Sequence, residues 1–225
     1  MPKLIIFDLG NTLIHYKRKS LNWSEHYVNA LRFACAQCGI VPDDESIEKA
    51  VSILSFYNSR IHPRIFEVAE SEVLSKTARV FGADAKKFEN GFFGYFQRDA
   101  VLETTCIETL RSLKNSGYIT AVLTDVPYGM PRVLVERDIT DIAGYIDILY
   151  TSCEIGFRKP DPAGVERLLS ETGIPKNNAC IVGDEPKDLE CAARAGIVSF
   201  LLSGEDRDWG QTHIVAALSE VLKFF

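Results

Sequence analysis

Four short segments of this 225-residue chain carry side chains that could do chemistry together. Leu4-Ile5-Ile6-Phe7-Asp8 delivers one carboxylate to the end of an apolar run. A second run ends in Thr124-Asp125, a hydroxyl followed by a carboxylate. Arg158-Lys159-Pro160-Asp161-Pro162 places a lysine just before a proline-started helix. A third run ends in Gly183-Asp184-Glu185, and Asp188 follows Asp184 by four residues. Singly these are ordinary turn, cap and loop residues. Together, carboxylates, a lysine and a hydroxyl suit Mg2+ beside a phosphoryl group, with hard oxygen ligands for the metal and a cation for the remaining charge.

The elements that must position them are legible as alternating patterns. Apolar runs at Lys3–Asp8, Ile119–Thr124, Asp147–Thr151, Ala179–Asp184 and Val198–Leu202 predict strands covered on both faces, as in a parallel sheet. Helical patterns at Thr105–Asn115, Pro162–Glu171 and Pro186–Ala195 fall between the later strands. That rhythm predicts an α/β protein with an open, doubly wound parallel sheet, and it brings all four segments to the carboxyl ends of the strands.

From Lys17 to Ala100 the rhythm stops. Trp23–Cys38, Asp44–Ser59, Phe66–Phe81 and Ala85–Phe96 read as helices, with breaks at Gly39–Pro42, His62-Pro63 and Gly82. The expected organisation is a core of residues 1–16 and 101–225 with a helical-bundle domain, 17–100, inserted after the first strand. An insertion there is placed to serve as a lid over the strand ends.

Composition narrows the function classes. Hydrophobic residues make up 46% and charged residues 25%, a globular mixture, and the net charge of −6 argues against a nucleic-acid surface. The longest basic run, Lys17-Arg18-Lys19, reads as a solvated loop. No stretch approaches the ~20 apolar residues of a membrane span, and the first residues read as a strand rather than a signal peptide. Six cysteines, including Cys35 and Cys38 inside a helical pattern, suit buried thiols in a reducing cytoplasm better than a metal or redox site. The expectation is a cytoplasmic protein, monomer or homodimer, whose partner is a small phosphorylated molecule.

The order Phe7-Asp8…Thr12-Leu13, a strand-ending Thr124, Lys159-Pro160 and Gly183-Asp184 with acidic residues following resembles the haloacid dehalogenase-like superfamily of hydrolases. The inserted helices look like that family's C1-type cap. The resemblance implies Asp8 as the nucleophile that takes a phosphoryl group as an aspartyl-phosphate. It implies Thr124 and the Asp125 backbone N–H as ligands of the phosphoryl oxygens, and Lys159 as the bridge between nucleophile and phosphate charge. Mg2+ would be bound by Asp8, the Gly10 carbonyl, Asp184 and Asp188, the last directly or through water.

At Gly10 the sequence departs from the family, whose phosphatases usually carry there a second Asp that protonates the leaving alcohol and then activates water. A backbone ligand survives the change; a general acid–base, typically worth about 10²–10⁴-fold, does not. His15, read as lying in the loop leaving the first strand, could supply the proton. Alternatively the leaving group needs little help, as with an anomeric or acyl phosphate, or the protein is a weakly active or regulatory phosphate binder. C–halogen or C–P hydrolysis is a further alternative. Substrate choice would belong to the cap, where Arg60, His62 and Arg64 lie within five residues and could read an anionic tail.

Overall fold

A computed structural model describes residues 3–17 and 22–225; of the basic run, Arg18 and Lys19 lie outside them. In chain order the elements are β1 (Leu4–Phe7), β2 (Ile14–Tyr16), α1 (Tyr27–Gln37), α2 (Asp44–Tyr57), α3 (Glu72–Val80), α4 (Ala85–Gln97), β3 (Ala100–Leu102) and α5 (Cys106–Asn115). They continue with β4 (Ile119–Thr124), α6 (Arg132–Asp138), β5 (Ile148–Thr151), α7 (Ser152–Ile155), α8 (Ala163–Thr172), β6 (Ala179–Gly183), α9 (Pro186–Ala195), β7 (Val198–Leu202) and β8 (His213–Val215). Two compact units result: Met1–His15 with Leu102–Asp125 and Ile139–Phe225, and Tyr16–Val101 with Val126–Asp138.

The first unit is built on a six-stranded sheet of order β5-β4-β1-β6-β7-β8, every pairing parallel. All four β1 residues are fully buried, which is why the strand reads as an unbroken apolar run. One face packs Leu4, Ile6, Ala121, Leu123 and Ile181 against α8 and α9 through Val165, Leu168 and Ala192. Gly164 lets α8 approach, since a Cβ there would stand 2.6 Å from a Leu123 methyl. Phe7 is level with Val122 on one side and Val182 on the other, so Asp8, Thr124 and Asp184 all leave the same edge. β1 is central, with the chain going to β4 on one side and β6 on the other, the arrangement that opens a crevice at the strand ends.

The second unit is helical. Trp23 stacks on Phe96 at 3.7 Å between ring centroids, and Phe88, Phe92 and Phe93 are fully buried, so the aromatics pack the bundle. α1 and α4 come close because Gly91 faces Ala34, whose Cα a Cβ would meet at 2.9 Å. Two expected helices begin late. Residues 23–26 form a 3-10 turn ahead of α1, and α3 starts only at Glu72 because Ser71 is left-handed (φ 62°) and donates its N–H to the Gly129 carbonyl. Val126–Asp138, which the alternating pattern assigned to the sheet domain, belongs to this unit. Tyr128 explains the allegiance: at φ 54° its hydroxyl is hydrogen-bonded to that of Tyr27, which also accepts from Asn58 Nδ2 at 2.8 Å.

Candidate active site

Asp8 follows β1 and is held at the sheet edge by its own N–H, donated to the Val182 carbonyl at 2.9 Å. A tight turn follows. Asn11 takes the left-handed conformation (φ 58°) and donates to the Ile14 carbonyl, while the Leu13 and Ile14 N–H groups both bond to the Leu9 carbonyl. Asparagine tolerates that backbone better than most residues. Gly10 is half-buried in this turn and bridges to Ile14. The turn returns the chain to a strand so promptly that His15 lies within β2, half-buried, rather than in a loop.

Lys159 is the hub. Its side chain is 2% exposed, and Nζ donates to Asp8 Oδ1 at 2.5 Å and to the Leu123 carbonyl at 3.1 Å. Asp188 Oδ1 lies 2.6 Å from the same nitrogen yet accepts no hydrogen bond, so this contact is an ion pair off the bonding direction. Burial alone would push the Lys159 ammonium down; the charges of Asp188, Asp8 and Asp125 overcome it and hold its pKa well above the usual lysine range.

Asp8, Asp184 and Asp188 each offer an oxygen within 4.8 Å of the others. Burial, reinforced by Asp8 and Asp188, pushes the Asp184 carboxyl up to about 7. Burial likewise pushes Asp188 to about 6, with the Lys159 charge opposing and Asp8 adding to the rise. A cluster of hard oxygens that resists full ionisation, with a buried Asp188 oxygen lacking a hydrogen bond, fits a divalent cation of the Mg2+ type. The Asp188 side chain is fixed locally, because it accepts from the Glu185 N–H in the capping box that starts α9.

Asp125 is tied to the lysine loop, accepting from the Lys159 N–H at 3.0 Å. It also pairs with Lys187 at 3.1 Å and, at 4.0 Å, with Arg158. Burial would raise its pKa, but Lys187, Arg158 and Lys159 bring it down to about 2. Thr124 ends β4 and is 6% exposed. The first unit thus brings together Asp8, Thr124, Asp125, Lys159, Asp184 and Asp188.

Arg60, His62 and Arg64 belong to the second unit, in the bend after α2. The Arg64 guanidinium is engaged there, donating to the Tyr57 carbonyl and to Glu67 Oε1 at 2.9 Å. The Arg60 backbone N–H bonds to Asn58 Oδ1, and His62 is exposed with its ring 6.3 Å from that of Phe56. Cys35 is buried in α1, which pushes its thiol up to about 11, and Cys38 stands half-buried at that helix's end. Three contributors escaped the sequence reading. Thr12, fully buried, donates to Asp184 Oδ1 at 3.4 Å; Lys187 pairs with Asp125; and Gly183 makes room for Asp188. Thr12 and Gly183 had a signal, as residues of the motifs around Asp8 and Asp184, though no part in the site was read from either; Lys187 had none.

The sequence profile of the haloacid dehalogenase-like hydrolases matches residues 2–196, and the chain belongs to that family of enzymes. It is 26% identical over 219 residues to a phosphoglycolate phosphatase of Rhodospirillum rubrum, covering 90% of this chain and 80% of that one. It is 24% identical over 210 residues to a pyrophosphatase, PpaX, of Bacillus cereus (89% and 84% covered). The fold is shared with a haloacid dehalogenase-like phosphatase from Thermococcus onnurineus (TM-score 0.68, 18% identity, 99% and 97% covered). It is shared equally with a 2-haloacid dehalogenase from Pseudomonas syringae (TM-score 0.67, 21% identity, 99% and 97% covered). No helix among the described residues is long and apolar enough to cross a membrane.

Proposed function

We propose that the protein is a Mg2+-dependent phosphohydrolase acting on a small phosphorylated metabolite through an aspartyl-phosphate at Asp8. The observation that carries this reading is the Lys159 ammonium placed 2.5 Å from Asp8 and 2.6 Å from Asp188 within a three-carboxylate cluster. A carboxylate that attacks a phosphoryl dianion needs such compensation, since like charges otherwise repel. The phosphatase and pyrophosphatase names of the relatives point the same way.

In the proposed reaction Asp8 attacks phosphorus, the bond to the leaving oxygen breaks, and water then cleaves the aspartyl-phosphate to return Asp8 and release phosphate. Mg2+, held by Asp8, Asp184, Asp188 and the Gly10 carbonyl, would supply Lewis-acid stabilisation of the phosphoryl oxygens. Lys159 neutralises charge on nucleophile and phosphate, and its low exposure keeps the approach dry. Thr124 Oγ1 and the Asp125 N–H bind phosphoryl oxygens. Arg60, His62 and Arg64 are proposed to read the rest of the substrate from the cap.

The test is a phosphate-release screen across a metabolite panel with and without Mg2+, repeated on Asp8→Asn. Mg2+-dependent release that the variant abolishes while keeping its fold supports the reading. Tight phosphate binding without turnover would instead make the protein a binder, and metal-independent halide release would make it a dehalogenase.

A further inference from the structure

Among the described residues, Lys159, Arg158 and Lys187 pair with the carboxylates gathered around Asp8 and Asp125, and they differ in exposure. The Lys159 and Arg158 side chains are 2% and 6% exposed, whereas Lys187 is 29% exposed. Lys187 stands in the first turn of α9, directly before Asp188. A cation there opposes the helix dipole, which favours negative charge at this end, so helix stability does not account for it. Its Nζ lies 2.9 Å from Glu185 Oε2 and 3.1 Å from Asp125 Oδ2. Asp125 Oδ2 is buried and accepts no hydrogen bond, so on that side charge rather than a directed bond holds the ammonium.

The charges say what it could turn towards. Asp8, Asp125, Asp184, Glu185 and Asp188 face Lys159, Arg158 and Lys187, a set that one divalent cation would bring to neutrality. A phosphoryl dianion then arrives uncompensated. Of the three cations, only Lys187 combines contact with this cluster and a side chain partly open to solvent.

We propose that Lys187 is a second phosphate-binding cation of the active site, parked on Asp125 and Glu185 until substrate arrives and then donating to a non-bridging phosphoryl oxygen. This rests on the phosphohydrolase reading above and adds to it a residue that Thr124, Asp125 and Lys159 do not replace. Lysine suits the task, as a mobile point charge with three donors.

The test is calorimetric binding of inorganic phosphate to the Mg2+-loaded protein, its Lys187→Met and Lys187→Gln variants, and Lys187→Arg. The neutral variants should bind phosphate about tenfold or more weakly, and Lys187→Arg within about threefold of the parent, the scale of one charge-assisted hydrogen bond. Mg2+ affinity without phosphate should hold in Lys187→Arg and hold or tighten in the neutral variants, which remove a cation beside Asp188. Unaltered phosphate affinity in either folded neutral variant overturns the proposal. So does a parallel loss of Mg2+ binding, which marks a structural role, and so does a parent that binds no phosphate at millimolar concentration. A parent that binds phosphate through Lys187 but hydrolyses no ester sinks the hydrolase reading and leaves this one standing.

Discussion

Asp188 occupies the space that a side chain at Gly183 would need: a Cβ built there would stand 2.4 Å from Asp188 Oδ2 and 2.5 Å from its Cγ. Glycine at the end of β6 is therefore required by the Asp188 carboxylate rather than by the strand. Gly183→Ala should push the Asp188 carboxylate off its position beside Lys159 and lose about 1–3 kcal/mol of stability, the usual cost of overpacking a tight site. The Mg2+-induced rise in Tm should shrink with it. Melting curves with and without Mg2+ check both; a variant with the parent's Tm and the parent's Mg2+ response would show that the contact constrains nothing.

The two raised carboxyls would make the proposed Mg2+ binding a pH-dependent event. Asp184 sits at about 7 and Asp188 at about 6 without metal, both above the ordinary aspartate range. Their contribution to folding without metal is favourable when protonated and is lost as pH rises through 6 to 7. A metal needs the ionised forms, so its binding must release protons below about pH 7. Mg2+ should accordingly raise Tm most above that pH and progressively less towards about pH 5. Calorimetry near about pH 6.5 in buffers of different ionisation enthalpy would show the proton release directly, and identical heats in all buffers would contradict it.

Asp138, at the end of α6 in the second unit, offers a test that does not involve the Asp8, Asp184 and Asp188 carboxylates. Burial pushes its carboxyl up to about 6, with a hydrogen bond from Gln97 and the Arg137 charge opposing. The folded pKa is raised, so its contribution to stability is fully present below the unfolded value near about 4 and is lost as pH climbs through 6. Asp138→Asn should therefore stabilise the protein at about pH 8, by roughly 1–2 kcal/mol once partial exposure is allowed for. The gain should vanish by about pH 4. Tm measured on both proteins across that range decides it; a constant difference would assign the effect to something other than ionisation.

How much of this was legible in the sequence depends on how local the cause was. β4 and β7 match their runs residue for residue because strands buried on both faces read as near-continuous apolar runs. The gathering of Asp8, Lys159, Asp184 and Asp188 followed from topology alone, since a parallel sheet sends all its strand ends to one edge. What escaped depended on contacts distant in sequence. Edge strand β8 is three residues long with an exposed Ile214, too short for a period-2 signal. The late start of α3 hangs on the Gly129 carbonyl, and the allegiance of Val126–Asp138 on the Tyr27–Tyr128 contact, neither visible in local composition. Lys187 has no signal in its own segment, because Asp125, one of its two partners, is distant in the chain.

Gly10 carries the sharpest kinetic expectation. No side chain at that position can protonate a departing alkoxide, so the rate should depend steeply on leaving-group quality. Aryl, acyl or anomeric phosphates should be hydrolysed far faster than simple alkyl esters, by a margin on the scale of the missing acid, about 10²–10⁴-fold. Gly10→Asp should narrow the gap by raising the alkyl esters most. The left-handed backbone of the turn falls on Asn11 (φ 58°), and that residue is retained in the variant. His15 is the competing donor, and β2 fixes its backbone, so a role for it demands a side chain that reaches the leaving oxygen from that strand. A series of esters of graded leaving-group pKa, run on parent, Gly10→Asp and His15→Ala, separates the cases. A steep series in the parent that His15→Ala leaves unchanged means the acid is truly absent. A flat series that turns steep in His15→Ala would reject that idea and give the proton to His15.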